Sequence, residues 1–266
     1  MTILDELAAY ARTRTEENKK RIPLEVLKRE VLNLPKKDFE FEKTLKKAKD
    51  GGDIAFICEV KKASPSKGLI AEDFLYLKIA EEYEAAGADC ISVLTEPKWF
   101  LGNDDYLKEI TEAVSIPVIR KDFTVDEYMI YEARKLGASA VLLICAILTE
   151  EEIKRYIEIC DGLGLSALVE AHDEIEIEMA LRCRARIIGV NNRNLKDFTV
   201  DTDNSRRLRS LVPDDIIFVS ESGVKSAEDI ASIRESGADA ALVGEALMRA
   251  DDKKAKLAEL KGVNND

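Results

Sequence analysis

Eight short apolar runs recur along the chain, separated by stretches in which apolar residues return every three or four positions. The runs cover residues 55–60, 90–94, 118–120, 140–144, 167–170, 187–191, 216–220 and 240–244. Continuous apolarity, without polar residues at alternate positions, predicts strands buried on both faces, as in a parallel sheet. The stretches between them, 73–86, 104–114, 126–136, 150–163, 173–183, 202–211 and 227–236, carry the period of amphipathic helices, and a closing helix covers 253–260. Several open on a capping residue and an acidic first turn, as in Thr149-Glu150-Glu151-Glu152 and Ser226-Ala227-Glu228-Asp229. Gly87-Ala88, Gly137-Ala138 and Gly237-Ala238 each end a helix just ahead of an apolar run. Strand and helix therefore alternate eight times. That rhythm predicts an α/β fold, an eight-stranded parallel βα (TIM) barrel, over an open doubly wound sheet. No Gly-x-Gly-x-x-Gly follows the first strand, which further disfavours a dinucleotide fold.

Residues 1–50 precede this pattern and read as helices over 2–15, 24–28 and 41–50. They are expected to form an N-terminal helical extension covering one mouth of a catalytic barrel formed by residues 51–266, the whole being a single domain. Arg14, Lys19, Lys20 and Arg21 would lend such an extension positive charge for gripping an anionic ligand.

The 266 residues are 46% hydrophobic, enough to bury a large core. A formal net charge of −12 argues against nonspecific binding to nucleic acid or to an anionic membrane. The cysteines, Cys58, Cys90, Cys145, Cys160 and Cys183, stand apart from one another. They form no disulfide or zinc pattern, and they read as small apolar residues of a protein in a reducing compartment. A single histidine, His172, excludes a multi-histidine metal centre. It starts the 173–183 helix and reads as a structural residue at the barrel rim. The longest unbroken apolar run, from Ala140 to Leu148, is too short to span a bilayer. A cytoplasmic location is the expectation.

In a βα barrel the chemistry lies at the C-terminal ends of the strands. At those positions the chain places Glu59 and Lys61, then Ser64; Thr95-Glu96 with Phe100 beyond; Lys121 and Phe123; the apolar Leu142; Glu170; Asn191 and Arg193; Ser222-Gly223; and Gly244-Glu245. Charges at the end of a buried strand are costly unless they pair or work. Glu59, Lys61, Lys121 and Glu170 converge from three strands, which points to catalysis. Lysines crowded together would have their pKa values lowered towards those of useful general acids. The loops holding Gly223 and Gly244 stand where such barrels bind phosphate through backbone N–H groups, with Ser64 and Lys61 beside them.

Five stretches resemble one family. They are Glu59-Val60-Lys61-Lys62-Ala63-Ser64-Pro65-Ser66-Lys67-Gly68, Lys121-Asp122-Phe123, Leu168-Val169-Glu170, Gly189-Val190-Asn191-Asn192-Arg193-Asn194-Leu195 and Ser220-Glu221-Ser222-Gly223. The family is indole-3-glycerol phosphate synthase, and the likeness runs from the first helix to Met248. The resemblance implies ring closure of an anthranilate joined through its amine to ribulose 5-phosphate, with loss of carbon dioxide and water. This is a carboxy-lyase step of tryptophan biosynthesis that uses neither cofactor nor metal. It implies Lys121 as general acid and Lys61 as anion-binding lysine and second proton source. Glu170 and Glu59 become an acid/base pair, with Asn191 and Ser222 as hydrogen-bonding partners. Phe100, Phe123, Leu142, Arg193 and Leu195 would contact the aromatic ring, while Ser64, Gly223, Gly244 and Glu245 would lie by the phosphate. The implied partners are the small phosphorylated anilino-sugar and other enzymes of the tryptophan pathway, with neither nucleic acid nor membrane. Two alternatives stand beside this: another phosphate-binding βα-barrel enzyme such as a sugar-phosphate isomerase, and a non-catalytic or engineered scaffold on the same fold.

Overall fold

The computed structural model describes residues 2–194 and 199–262. Among these, eight parallel strands close into a barrel. They are β1 (Ala55–Val60), β2 (Cys90–Leu94), β3 (Val118–Lys121), β4 (Ala140–Ile144), β5 (Ser166–Ala171), β6 (Ile187–Asn191), β7 (Ile217–Glu221) and β8 (Ala240–Val243). Each pairs with the next, and β8 returns to β1 with Ala240 beside Ala55. The expected TIM barrel is the observed fold.

Successive residues of a strand face opposite sides. Ala55 and Ile57, Ile119, Leu142, Leu168, Ile217 and Val219 fill the barrel interior. Their neighbours Phe56, Cys58, Val118, Val141, Val169 and Phe218 pack beneath the outer helices. Apolar residues are thus needed on both faces, which is why these strands show no alternation in sequence.

The outer ring is α4 (Tyr76–Ala85), α5 (Asp104–Ala113), α6 (Glu127–Lys135), α7 (Glu150–Leu163), α8 (Glu174–Arg182), α9 (Asp203–Arg209), α10 (Ala227–Glu235), a short α11 (Glu245–Met248) and α12 (Lys253–Lys261). Thr149 and Ser226 close capping boxes at the starts of α7 and α10, as their sequences suggested. A two-stranded hairpin, Ala63–Ser64 with Gly68–Leu69, follows β1.

Three helices precede β1: α1 (Ile3–Arg21), α2 (Leu24–Leu32) and α3 (Glu40–Asp50). The first runs six residues past the end that its apolar spacing predicted. Its last turns are held by polar contacts instead: Asn18 donates to Glu132 (3.0 Å) and Lys19 pairs with Asp126 (2.7 Å). The helices occupy different parts of the barrel. Ile3 and Leu7 of α1 face the cavity at the C-terminal ends of the strands. Phe41 and Leu45 of α3, both fully buried, pack on interior residues including Ala55. At that opposite end, Lys49 donates to the carbonyl of Ile216, just before β7 (3.1 Å). Full burial of Phe41 and Leu45 contributes about 1.5–3 kcal/mol each.

Between α2 and α3 the chain runs as a strap along the barrel wall. Lys37 N–H donates to the carbonyl of Leu163 (3.3 Å) and Phe39 N–H to that of Gly164 (2.9 Å). Gly164 has φ +71, and a Cβ there would lie 1.7 Å from the Lys37 oxygen. Glycine at this position satisfies both the helix end and the strap. No helix among the described residues is long and apolar enough to cross a membrane.

Candidate active site

The inward alternation that fills the barrel with apolar residues continues upward into charge. After Ala55 and Ile57 the next inward residue of β1 is Glu59; after Ile119 it is Lys121; after Leu168, Glu170; after Val219, Glu221. The barrel thereby brings four ionisable side chains from four strands to one cavity. Lys61 follows from beyond β1, with its Nζ 2.5 Å from Glu59 Oε1.

Lys121 Nζ lies 3.3 Å from Glu221 Oε2 and 3.7 Å from Glu170 Oε2. Burial opposes its charge, but the carboxylates of Glu221, Glu170 and Glu59 outweigh burial and raise its pKa above the ordinary lysine range. This reverses the expectation of lysines lowered by one another. Lys121 is crowded by carboxylates, and Lys61 is taken up by Glu59. Burial likewise works against ionisation of Glu59, yet Lys61 and Lys121 hold its carboxyl below the usual value. Ser92 adds a hydrogen bond to its Oε2 (3.4 Å).

Glu221 was missing from the site residues expected from sequence. The predicted strand ended at 220, although Glu221 stands in the family-like stretch Ser220-Glu221-Ser222-Gly223. The inward series 217, 219, 221 was the signal that could have found it. Its carboxyl is 1% exposed, and neither oxygen has a hydrogen bond among the described residues. Lys121 approaches within ion-pair range but outside hydrogen-bond alignment. Burial, opposed by Lys121 and aided by Glu170, lifts the pKa of Glu221 to about 8. Gly189 on β6 makes room for it, since a Cβ there would sit 2.2 Å from Glu221 Oε1.

Asn191 donates its amide to Glu170 Oε2 (3.3 Å) and accepts the Arg193 N–H through Oδ1 (3.0 Å), which fixes its orientation. Ser222 (φ +68) and Gly223 (φ +96) turn the chain at the top of β7. The same cavity is also lined by the apolar Ile3, Leu7, Phe100, Phe123 and Leu142, with the Phe100 and Phe123 rings 6.0 Å apart. The two residues from α1 were also absent from the sequence expectation, because nothing local says which face of a leading helix meets a distant cavity. Leu195 lies outside the described residues.

A second cavity adjoins the first through Glu59, Lys61, Arg193, Ser222 and Glu245. Gly223, Gly244, Lys67, Lys225, Arg249 and Lys256 line it. A side chain at Gly244 would reach Glu59 Oε1 at 2.6 Å and Lys61 Nζ at 3.0 Å, so glycine keeps that pair in place. Glu245 Oε1 is directed at Arg249 (3.2 Å) and Lys67 (3.5 Å). Ser64 is buried at the wall of the first cavity, 3.5 Å from the hydroxyl of Ser66, which lines both.

Beneath Lys121 a buried ion network fixes the strand end. Asp122 accepts from Arg14 of α1 (2.7 Å), from Thr95 (2.6 Å) and from Phe123 N–H (2.8 Å). Arg120, 2% exposed, reaches outward to Asp104 (2.7 Å) and Glu132 (2.8 Å). Arg14 is therefore committed to Asp122 and Lys19 to Asp126, not to a ligand as their positions in sequence suggested. All five cysteines are buried and free, and burial pushes their thiols above the usual range. Among the described residues no group of three or more His, Cys, Asp or Glu is placed to hold a metal ion.

The family model described as indole-3-glycerol phosphate synthase matches residues 4–260. The chain belongs to the indole-3-glycerol phosphate synthase family. A protein of that name from Ruminiclostridium cellulolyticum is 58% identical over 261 residues, covering 98% of this chain and 99% of that protein. One from Endomicrobium trichonymphae is 54% identical over 260 residues, covering 97% and 99%. Among solved structures, 3-hexulose-6-phosphate synthase from Salmonella typhimurium aligns with a TM-score of 0.66 over 79% of this chain and 98% of that chain. At 14% identity it shares the fold alone. The synthase family's match spans α1 as well as the barrel, so the helix that lends Ile3 and Leu7 to the cavity falls almost wholly within it.

Proposed function

We propose that this chain catalyses the conversion of 1-(2-carboxyphenylamino)-1-deoxyribulose 5-phosphate to indole-3-glycerol phosphate, carbon dioxide and water. The observation that carries the reading is the division of one cavity, in a chain of this family. Carboxylates gather around Lys121, apolar Phe100, Phe123, Leu142, Ile3 and Leu7 line the same cavity, and a cation-lined annex adjoins it at Lys61. An aromatic acid bearing a sugar phosphate has matching parts.

In this reading the ring carbon bearing the substrate carboxylate attacks the ketone carbon. Lys121 donates a proton to the ketone oxygen as it gains charge, which makes it the general acid of ring closure. Its raised pKa keeps it protonated at neutral pH, with Glu170, Glu221 and Glu59 holding the ammonium in place. Carbon dioxide then leaves and the benzene ring regains its aromaticity. Dehydration follows: a carboxylate, Glu170 or Glu59, takes a proton from the adjacent methylene while Lys61 protonates the departing hydroxyl. Asn191 and Ser222 hydrogen-bond the intermediate. Ser64 and the backbone at Gly223 and Gly244 hold the phosphate, and Arg193 contacts the aromatic ring. Glu245 contributes through its backbone, its carboxylate being taken by Arg249 and Lys67. The same reading places the chain in the cytoplasm, with other tryptophan-pathway enzymes as its candidate partners.

The test is to mix the protein with the anilino-ribulose phosphate and follow the absorbance and fluorescence of an indole product. Isomerisation of a sugar phosphate with no indole formed would replace this reading with the isomerase alternative. No turnover of either would favour an inert scaffold.

A further inference from the structure

The single histidine occupies a position that sequence alone did not disclose. His172 follows β5 directly, two residues after Glu170. Its Nε2 is 3.6 Å from Glu170 Oε1, and its Nδ1 is 3.4 Å from Glu176 Oε2 on α8. The same Glu176 oxygen accepts the His172 backbone N–H at 2.7 Å, and Asn204 donates to the His172 carbonyl at 3.2 Å. Ring and backbone are both anchored. Nε2 is buried without a hydrogen bond among the described residues, so the polar atom facing Glu170 is held ready but unused. The other oxygen of Glu170 faces Asn191 and Lys121. Glu170 thus stands between a lysine inside the cavity and an imidazole behind it.

We propose that His172 is a positioning residue for Glu170, its ring clamped by Glu176 so as to aim the Glu170 carboxylate. The charged groups facing this pair come from every side: Lys121 from β3, Glu221 from β7, and Glu176 and Asp173 at the start of α8. Burial disfavours the imidazolium, but the hydrogen bond to Glu176 and the charges of Glu170, Glu176 and Glu221 more than compensate, so its pKa is raised.

The proposal rests on the reading of Glu170 as an acid/base group, so its test has two independent arms. His172 is the only histidine in the chain, so its ring carbon protons give one set of histidine signals in an NMR titration of the free protein. The expected midpoint lies above the ordinary 6.5, and in Glu170→Gln it falls by about half a pH unit or more. An unchanged midpoint in Glu170→Gln overturns the proposal, whatever reaction the protein catalyses. The kinetic arm compares His172→Ala with His172→Gln. For His172→Ala, kcat should fall about tenfold with KM little changed, because the carboxylate is no longer aimed. His172→Gln should recover most of the turnover, because an amide N–H can reach Glu170. If both variants lose turnover alike, or KM rises in step with the loss, His172 is a packing residue only and the proposal fails. If the wild type makes no indole, the function proposed above fails while the NMR arm still decides this one.

Discussion

Replacing Glu221 with glutamine probes the electrostatics of the cavity in the free protein. Burial pushes the Glu221 carboxyl from an ordinary 4.5 to about 8, against the pull of Lys121 and with help from Glu170. In the fold the acid keeps its proton at pH values where the unfolded chain has released it. Its contribution to stability is therefore complete below about pH 4.5, and is lost as pH rises from there through about 8. At about 1.4 kcal/mol for each pH unit, the loss across that window is on the order of 5 kcal/mol. Glutamine copies the neutral acid in shape and in its ability to donate a hydrogen bond. The Glu221→Gln protein should match the wild type near pH 5 and exceed it at pH 8.5 by on the order of 2–5 kcal/mol. The raised pKa of His172 also removes stability above about pH 6.5; Glu221 contributes to that shift, so its replacement lessens this loss as well and acts in the same direction. Urea denaturation across pH 5–9, followed by circular dichroism, reads the difference directly. Parallel stability curves for the two proteins would refute the argument.

Three further outcomes are expected. Lys121→Ala should lower turnover several hundred-fold or more while an unreactive substrate analogue still binds within about tenfold of normal, because a general acid acts in the transition state; near-normal turnover would remove Lys121 from the central role. Gly189→Ala should cost about 1–3 kcal/mol in thermal melting, since the new methyl meets Glu221 Oε1 at 2.2 Å and Leu168 Cδ1 at 3.1 Å; an unaltered melt would show that the two side chains yield freely. Arg14→Ala should leave the buried Asp122 with Arg120 (3.7 Å) as its one ion-pair partner among the described residues, beside the hydrogen bonds from Thr95 and Phe123, costing about 2–4 kcal/mol, and should raise KM because α1 carries Ile3 and Leu7 to the cavity; an unchanged KM would separate that helix from substrate binding.

The barrel was legible in sequence because its strands are buried on both faces. β1, β6 and α7 were read with the bounds they have. The reading faltered where a polar residue belongs inside. β7 was stopped at 220 because Glu221 is charged, although its neighbours two and four positions back face the interior. α1 was cut short because its last turns are tied by Asn18 and Lys19 to residues more than a hundred positions away, and no local period encodes such ties. The direction of the Lys121 shift was misjudged for the same reason. A sequence shows which lysines end strands, but barrel closure decides that Lys121 meets Glu221 and Glu170 while Lys61 turns to Glu59. The proximity of His172 to Glu170 follows from the bend of the chain into α8, which spacing alone does not give.

The strap and the two end-sealing helices set the order in which the molecule can be completed as it is made. A ribosome delivers α1, α2 and α3 first, yet their seats all come later. Arg14 waits for Asp122, the strap at Lys37 waits for Leu163 and Gly164, and Phe41 and Leu45 wait for the strands around Ala240. Each fastening joins residues far apart in the chain, and the seat of α3 is complete only once β8 has closed on β1. A nascent chain stalled before Ala240 therefore leaves Phe41 and Leu45 without part of their seat, so that exposure during synthesis falls on α3 as well as on the newest residues.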